Sequence, residues 1–258
     1  MTDTTLDASC GREFLQQFRT DALRLKQRQE VLRTGYEQSK VSGAAPPIRL
    51  QVLEESIETE APLLMQKEQE IRQILSELPG RQGQMLQARY LDGRNWEQSK
   101  ALLEDERQWQ KQRTFAYEGF WILWQQHCGH MDPILRAKRY RMWKRYYQGL
   151  KASGRISAEA MKEGIKQQVN VSQRQMDRMI HLLKLIPELQ LWVVRGQICL
   201  EAAYQLSFLA ENFQHQLVEI RGKTGGILGI DQARALRGLA FSDWFHQSKV
   251  IGILSQHL

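Results

Sequence analysis

The chemistry most open to this sequence is the neutralisation of phosphate. Lysine and arginine outnumber aspartate and glutamate 36 to 29 over 258 residues, a formal net charge of +7. The excess is concentrated. Residues 1–80 carry a net −3, residues 81–129 carry +1, residues 130–184 carry +9, and residues 185–258 are neutral. Clustered cations, rather than a basic average, are what a polyanion requires. The bland alternative is a solvated helix face. Within the cluster, Arg136-Ala-Lys-Arg-Tyr-Arg-Met-Trp-Lys-Arg-Tyr-Tyr147 reads as one basic helix. Arg136, Lys138, Arg139, Arg141, Lys144 and Arg145, with Lys184 further on, are candidate phosphate contacts. Trp143, Tyr146 and Tyr147 alternate with two of these cations. Base stacking on single strands is open to such a pattern, but packing of the rings with the cations turned outward is the commoner arrangement.

Other chemistries find less support. Cys10, Cys128 and Cys199 are odd in number and far apart, which fits a reducing cytoplasm better than a disulfide framework. His127-Cys-Gly-His130 has no second Cys/His pair to complete four zinc ligands, so no metal is expected there. Gly222-Lys-Thr-Gly-Gly-Ile-Leu-Gly229 contains a Gly-Lys-Thr, but Leu217 stands where a phosphate-binding loop needs glycine and no strand precedes it. It reads as an inter-helix turn. No nucleophile–base arrangement can be argued, so neither an enzyme nor a cofactor is expected. With Asp3, Asp7, Arg12 and Glu13 in the first twenty residues, no secretory leader is expected there. Arg195 and Glu201 interrupt the most apolar stretch, Leu189 to Ala210, so no membrane span is expected.

The elements that must position these residues are helical almost throughout, because apolar residues recur at spacings of three and four. The first long helix is expected over 11–35, ending near Gly35. The second, over 50–78, meets Pro62, which should kink or split it. A short helix covers 85–91. Asn95 caps the next, with Gln98 as its capping-box partner. A further run covers 106–126, where Phe120, Trp121, Ile122 and Trp124 form an apolar cluster for a core or an interface. Gly149 to Gly154 is a loop. Ser157 caps a helix reaching Gln167, and Ser172 caps the next, with Gln175 as partner. Pro187 ends or bends that helix. The fold class is all-α, in two helical modules, each with a helix-turn-helix-like element.

The stronger such element spans 158–185. Val169-Asn-Val171 is its turn. Met176, Met179, Ile180 and Leu183 form the buried stripe of its second helix, opposite Gln173, Arg174, Asp177, Arg178 and His181. Arginine pairs with guanine and glutamine with adenine in the major groove, so Ser172, Gln173, Arg174 and Arg178 are the candidate base readers. Val171-Ser-Gln-Arg-Gln-Met-Asp-Arg-Met-Ile-His-Leu-Leu-Lys-Leu-Ile-Pro-Glu-Leu189 resembles the recognition-helix region of ParB-type partition proteins. Gly196 to Leu209 and Ile230 to Arg237 resemble the segments that follow in that family. The resemblance covers roughly residues 132–256. It implies a DNA-binding helix-turn-helix domain. The family's nucleotide-binding N-terminal domain is not visible here, so nothing is implied about CTP. Lys166 also stands where the family has a small alanine, and must either crowd the packing or snorkel outward.

The weaker element spans 95–118. Leu78-Pro-Gly-Arg-Gln-Gly-Gln-Met-Leu-Gln-Ala-Arg-Tyr-Leu-Asp-Gly-Arg-Asn-Trp-Glu-Gln98 resembles sigma-factor region-four-like regulators of phages and mobile elements, and the resemblance extends over about 11–118. It degrades at the turn. Ser99 and Lys100 replace an Ile-Ala pair, and Glu104 and Asp105 would repel phosphate. Arg107, Lys111 and Arg113 are the candidate DNA contacts here. The expected organisation is a module over 1–126, a basic connecting helix over 127–152, and a ParB-like domain over 153–258. The expected partner is double-stranded DNA, in transcription control or partition. A protein-interaction factor with vestigial reading helices, antitoxin-like or polymerase-binding, is the alternative. A homodimer stays open.

Overall fold

The structure, a computed structural model, describes residues 3–102, 109–129, 132–169, 172–224, 228–241 and 247–254. Among these residues the protein is all-α. The one extended pairing is an isolated parallel bridge between Ile198 and Leu228. No described helix is long and apolar enough to cross a membrane. Contacts divide the chain into two units, 1–128 and 129–258. The basic helix, expected as a connector, belongs to the second unit.

In the first unit, α1 (Asp3–Ser42) and α2 (Ile48–Glu77) form a hairpin closed at Gly43, whose φ of 63° suits glycine. Two expectations need correction. The first helix does not end at Gly35. That glycine stays helical and makes room for Leu50, whose Cδ1 would lie 2.7 Å from an added Cβ. Nor does Pro62 split α2. Its missing hydrogen bond falls on an exposed position between buried Ile57 and Ile71, and packing holds the helix through it. The unit continues with α3 (Gln82–Tyr90), α4 (Trp96–Lys100) and α5 (Trp109–His127), which ends at Gly129 with φ of 87°. α5 packs on α1 through Phe14, whose ring centroid lies 4.3 Å from Trp124 and 5.8 Å from Phe120. Gly11 permits this approach, since a Cβ there would overlap the Tyr117 carbonyl oxygen. The Tyr90 and Tyr117 hydroxyls meet at 2.7 Å, and burial raises the pKa of both.

The second unit holds α6 (Pro133–Ala152), α7 (Ala158–Val169), α8 (Gln173–Leu182), α9 (Pro187–Val194), α10 (Leu200–Leu206), α11 (Glu211–Thr224), α12 (Ile230–Phe241) and α13 (Gln247–Leu254). The Gly222-Lys-Thr segment therefore begins as helix, and residues 225–227 lie outside those described. Gly149 also stays helical, inside α6. Pro187 opens α9 at its first turn, where a missing N–H costs nothing. Two apolar clusters form. A small one joins Tyr140, Ile165 and Met176, flanked by Tyr147, Met161, Val169 and Ile180. A larger one runs from Leu182 through α9–α13 to Val250. Buried Gln214 staples the second cluster. It accepts from the Ile186 amide at 2.9 Å and donates to the Leu209 carbonyl at 2.9 Å.

Gly83 stands where α3 crosses α2, and a Cβ there would overlap the Leu75 carbonyl oxygen. Gly83→Ala should cost about 2–3 kcal/mol through forced backbone displacement. Gly149→Ala, which meets nothing within 4 Å in the last turn of α6, should gain up to about 0.5–1 kcal/mol. Urea unfolding of the two variants checks both signs.

Candidate nucleic-acid interface

α8 has only ten residues, too few to hold a helix in water by hydrogen bonding alone. Three devices hold it. The first is its cap. The Gln175 amide donates to Ser172 Oγ at 3.3 Å, and the Ser172 amide donates to Gln175 Oε1 at 3.2 Å. The second is apolar. Met176 and Ile180 face Tyr140 and Ile165, joining α8 to α6 and α7. Gly164 makes room for the Tyr147 ring of α6, whose atoms would lie 2.5–2.8 Å from an added Cβ. Lys166 is exposed, so its long side chain does not crowd this junction.

The third device is ionic and acts on both flanks. Lys144 of α6 lies 3.3 Å from Asp177. On the other side Arg178 lies 3.0 Å from Glu201 of α10, and its guanidinium sits 5.5 Å from the Tyr204 ring. Glu201 also accepts from Gln205 at 3.0 Å, and Gln205 accepts from Arg237 of α12 at 2.8 Å. Arg237 covers the Phe208 ring at 3.9 Å. His181 packs between these rings, 4.9 Å from Phe208 and 5.3 Å from Tyr204. Its Nδ1 is buried without a hydrogen bond. Burial, then the nearby Lys184, holds its pKa below the usual histidine value. Asp177 opposes this, while Arg237 and Lys144 reinforce it.

The expected base readers therefore separate. Arg174 is exposed on the first turn of α8. Ser172 is exposed too, but its hydroxyl serves the cap. Arg178 is half-exposed, and Glu201 and Tyr204 tie its head group to α10. His181, expected on the same open side, is turned into the α8–α10 junction. The side chain of Gln173, with Asn170 and Val171 of the turn, lies outside the described residues.

The phosphate candidates also differ from a single cationic rod. α6 packs against α7, α8 and α9, and buried Ile134, Leu135, Ala137, Tyr140, Met142 and Trp143 fall around most of its circumference. Its cations fill the spaces between. Arg136 and Arg145 are exposed, whereas Lys138, Arg139, Arg141 and Lys144 are half-buried. Helical spacing puts Lys138, Arg141 and Arg145 on one face, and Arg136 and Arg139 on another. Lys184, just past α8, is exposed. Trp143, Tyr146 and Tyr147 pack on one another at 5.3–6.1 Å between centroids.

In the first unit, Arg107 lies outside the described residues, as does the altered turn at 103–105. Lys111 is exposed. Arg113 is half-buried, 5.4 Å from the rings of both Trp96 and Trp109. Asn95 and Gln98 form the expected capping box, but the helix they open has five residues. His127 leans on Trp124 at 6.0 Å, with Nε2 3.9 Å from a Glu70 oxygen, and His130 lies outside the described residues.

Sequence reasoning did not single out the partners of Arg178, Glu201 and Tyr204, or Gln205, Phe208 and Arg237 beyond them. The one local signal was an acid and an amide four apart at 201 and 205, facing the same way on a short helix. No protein-family model, curated protein or solved structure matches the chain.

His181 supplies a pH prediction. Its folded-state pKa is depressed, so its share of stability is complete above the unfolded value and is lost as pH falls through the folded one. Denaturation of the chain between about pH 7.5 and 5.5 should show the second unit weakening on acidification. His181→Phe keeps a ring and should flatten that dependence. An unchanged slope in the variant would remove His181 as the cause.

Proposed function

We propose that the second unit binds double-stranded DNA, with α7 and α8 as a helix-turn-helix and the first turn of α8 entering the major groove. The observation that carries this reading is Arg174. It projects into solvent from a capped helix that ion pairs brace on both flanks. A reader must be held still while its own head group stays open, since each good bidentate contact discriminates by about 1–3 kcal/mol. Arg136, Arg145 and Lys184 are exposed cations on the same unit and suit phosphate contacts. The ParB-type resemblance supports the same reading. The corresponding role is a transcription regulator or partition-type factor of a phage or mobile element, acting without catalysis or cofactor in the cytoplasm. Arg178 serves this function by fixing the pose of α8. In the first unit the leading helix, α4, has five residues and Arg113 is half-buried, so that unit is the weaker DNA contact.

The alternative is a protein-interaction factor. One observation favours it: the Ser172 hydroxyl and the Arg178 guanidinium are already engaged by partners within the fold, the cap and Glu201.

Duplex titration of the full chain across a salt series separates the two readings. The DNA reading predicts that log K falls with log salt at a slope of about −0.9 per phosphate neutralised. Arg174→Ala should then lose about 1–3 kcal/mol at one base pair of the site. Equal loss on every sequence would make Arg174 a phosphate contact. Arg178→Ala should lower the melting temperature of the second unit as well as the affinity. Duplex binding that is absent at low salt would favour the protein-interaction factor.

A further inference from the structure

We propose that the distal half of the α1–α2 hairpin is a homodimer interface, in which a second copy of this chain packs its own hairpin beside the first, the two hairpins pointing the same way. This rests on the first unit alone and does not depend on DNA binding.

α1 has 40 residues and α2 has 30, whereas α5, which covers them, has 19. The cover reaches α1 at Phe14 and Phe18, and Lys67 of α2 lies over the Phe14 ring. From residue 19 to residue 65 the only buried apolar side chains are Leu25, Leu50 and Ile57. Over that same stretch Leu23, Val31, Val41, Ile48, Val52, Leu63 and Met65 are exposed. They are seven of the eleven large apolar side chains exposed among the described residues, so exposure is concentrated here rather than scattered. Val31, Pro47, Leu50 and Leu53 also line a groove of about 840 Å³ beside Gly35 and Ser39. Two helices cannot cover each other's apolar surface as four can.

Charge selects the occupant. Residues 19–42 of α1 carry six cations and three acids, whereas residues 48–60 of α2 carry one cation and four acids. Within the hairpin these signs already pair, Arg28 with Glu60 and Ser56, and Tyr36 with Glu54. A two-fold axis along the hairpin sets basic α1 of one copy against acidic α2 of the other, twice over. All neighbouring helices then run antiparallel, as in an isologous four-helix bundle. A purely acidic or purely basic partner would satisfy one helix and repel the other.

Sedimentation of the full chain tests this with charge-swapped copies. One variant carries Lys26→Glu and Lys40→Glu on α1; the other carries Glu55→Lys and Glu58→Lys on α2. All four positions are exposed, and circular dichroism checks that each variant folds. The wild-type chain should be a dimer at micromolar concentration. Each variant alone should dimerise at least about tenfold more weakly, because like charges then face each other. An equimolar mixture of the two should recover the dimer, because opposite charges face again across both contacts. A monomeric wild-type chain overturns the proposal. So do variants that dimerise as well as wild type, which would put the interface elsewhere, and a mixture that does not recover.

Discussion

The second unit is governed by the problem of holding a ten-residue helix in place. Hydrogen bonding within so short a helix does not sustain it in water. α8 therefore depends on neighbours, and the neighbours draw on the same side chains that could otherwise touch a ligand. Met176 is given to Tyr140 and Ile165, Asp177 to Lys144, Arg178 to Glu201, and His181 to Phe208 and Tyr204. What remains outward is the first turn. The constraint narrows the recognition surface to few groups, with Arg174 foremost, and fixes them firmly.

The same accounting explains α6. A helix carrying six cations in ten residues reads as a solvated rod. Between those cations, though, lie Ala137, Tyr140, Met142 and Trp143, and three helices pack around them. Lys138, Arg139 and Arg141 are half-buried there, and the guanidinium Nε of Arg139 and of Arg141 is buried. The basic stretch is at once the scaffold of α7 and α8 and a source of positive potential. In a protein–DNA interface such potential sets affinity without carrying sequence information.

Much of this was legible in the chain. Apolar spacing gave the helices, and the caps at Asn95 and Ser172 fell on the expected residues because their partners stood three positions on. The contacts divide the chain at residue 128, where the net charge also shifts, and place the basic helix in the second unit. The errors have physical causes. Gly35, Pro62 and Gly149 were read as breaks from local propensity, but packing or an exposed position made each tolerable in a helix. The partner of Arg178 was missed, because a helical wheel cannot register an acid 23 residues away on another helix. The exposed apolar side chains of the α1–α2 hairpin were likewise hidden, since spacing alone does not reveal that α5 is too short to cover them.

The central claim is that a braced α8 presents Arg174 to a duplex while Arg178 stays bound to Glu201. Selection of the full chain against a random duplex library, run in parallel with Arg174→Ala and Glu201→Gln, addresses it most directly. The account predicts a defined enriched motif for the wild type. The Arg174 variant should relax one position of that motif, and the Glu201 variant should blur it throughout, because α8 loses its brace. Contradiction would come from a library that emerges unenriched for the wild-type chain, or from a motif that neither substitution alters.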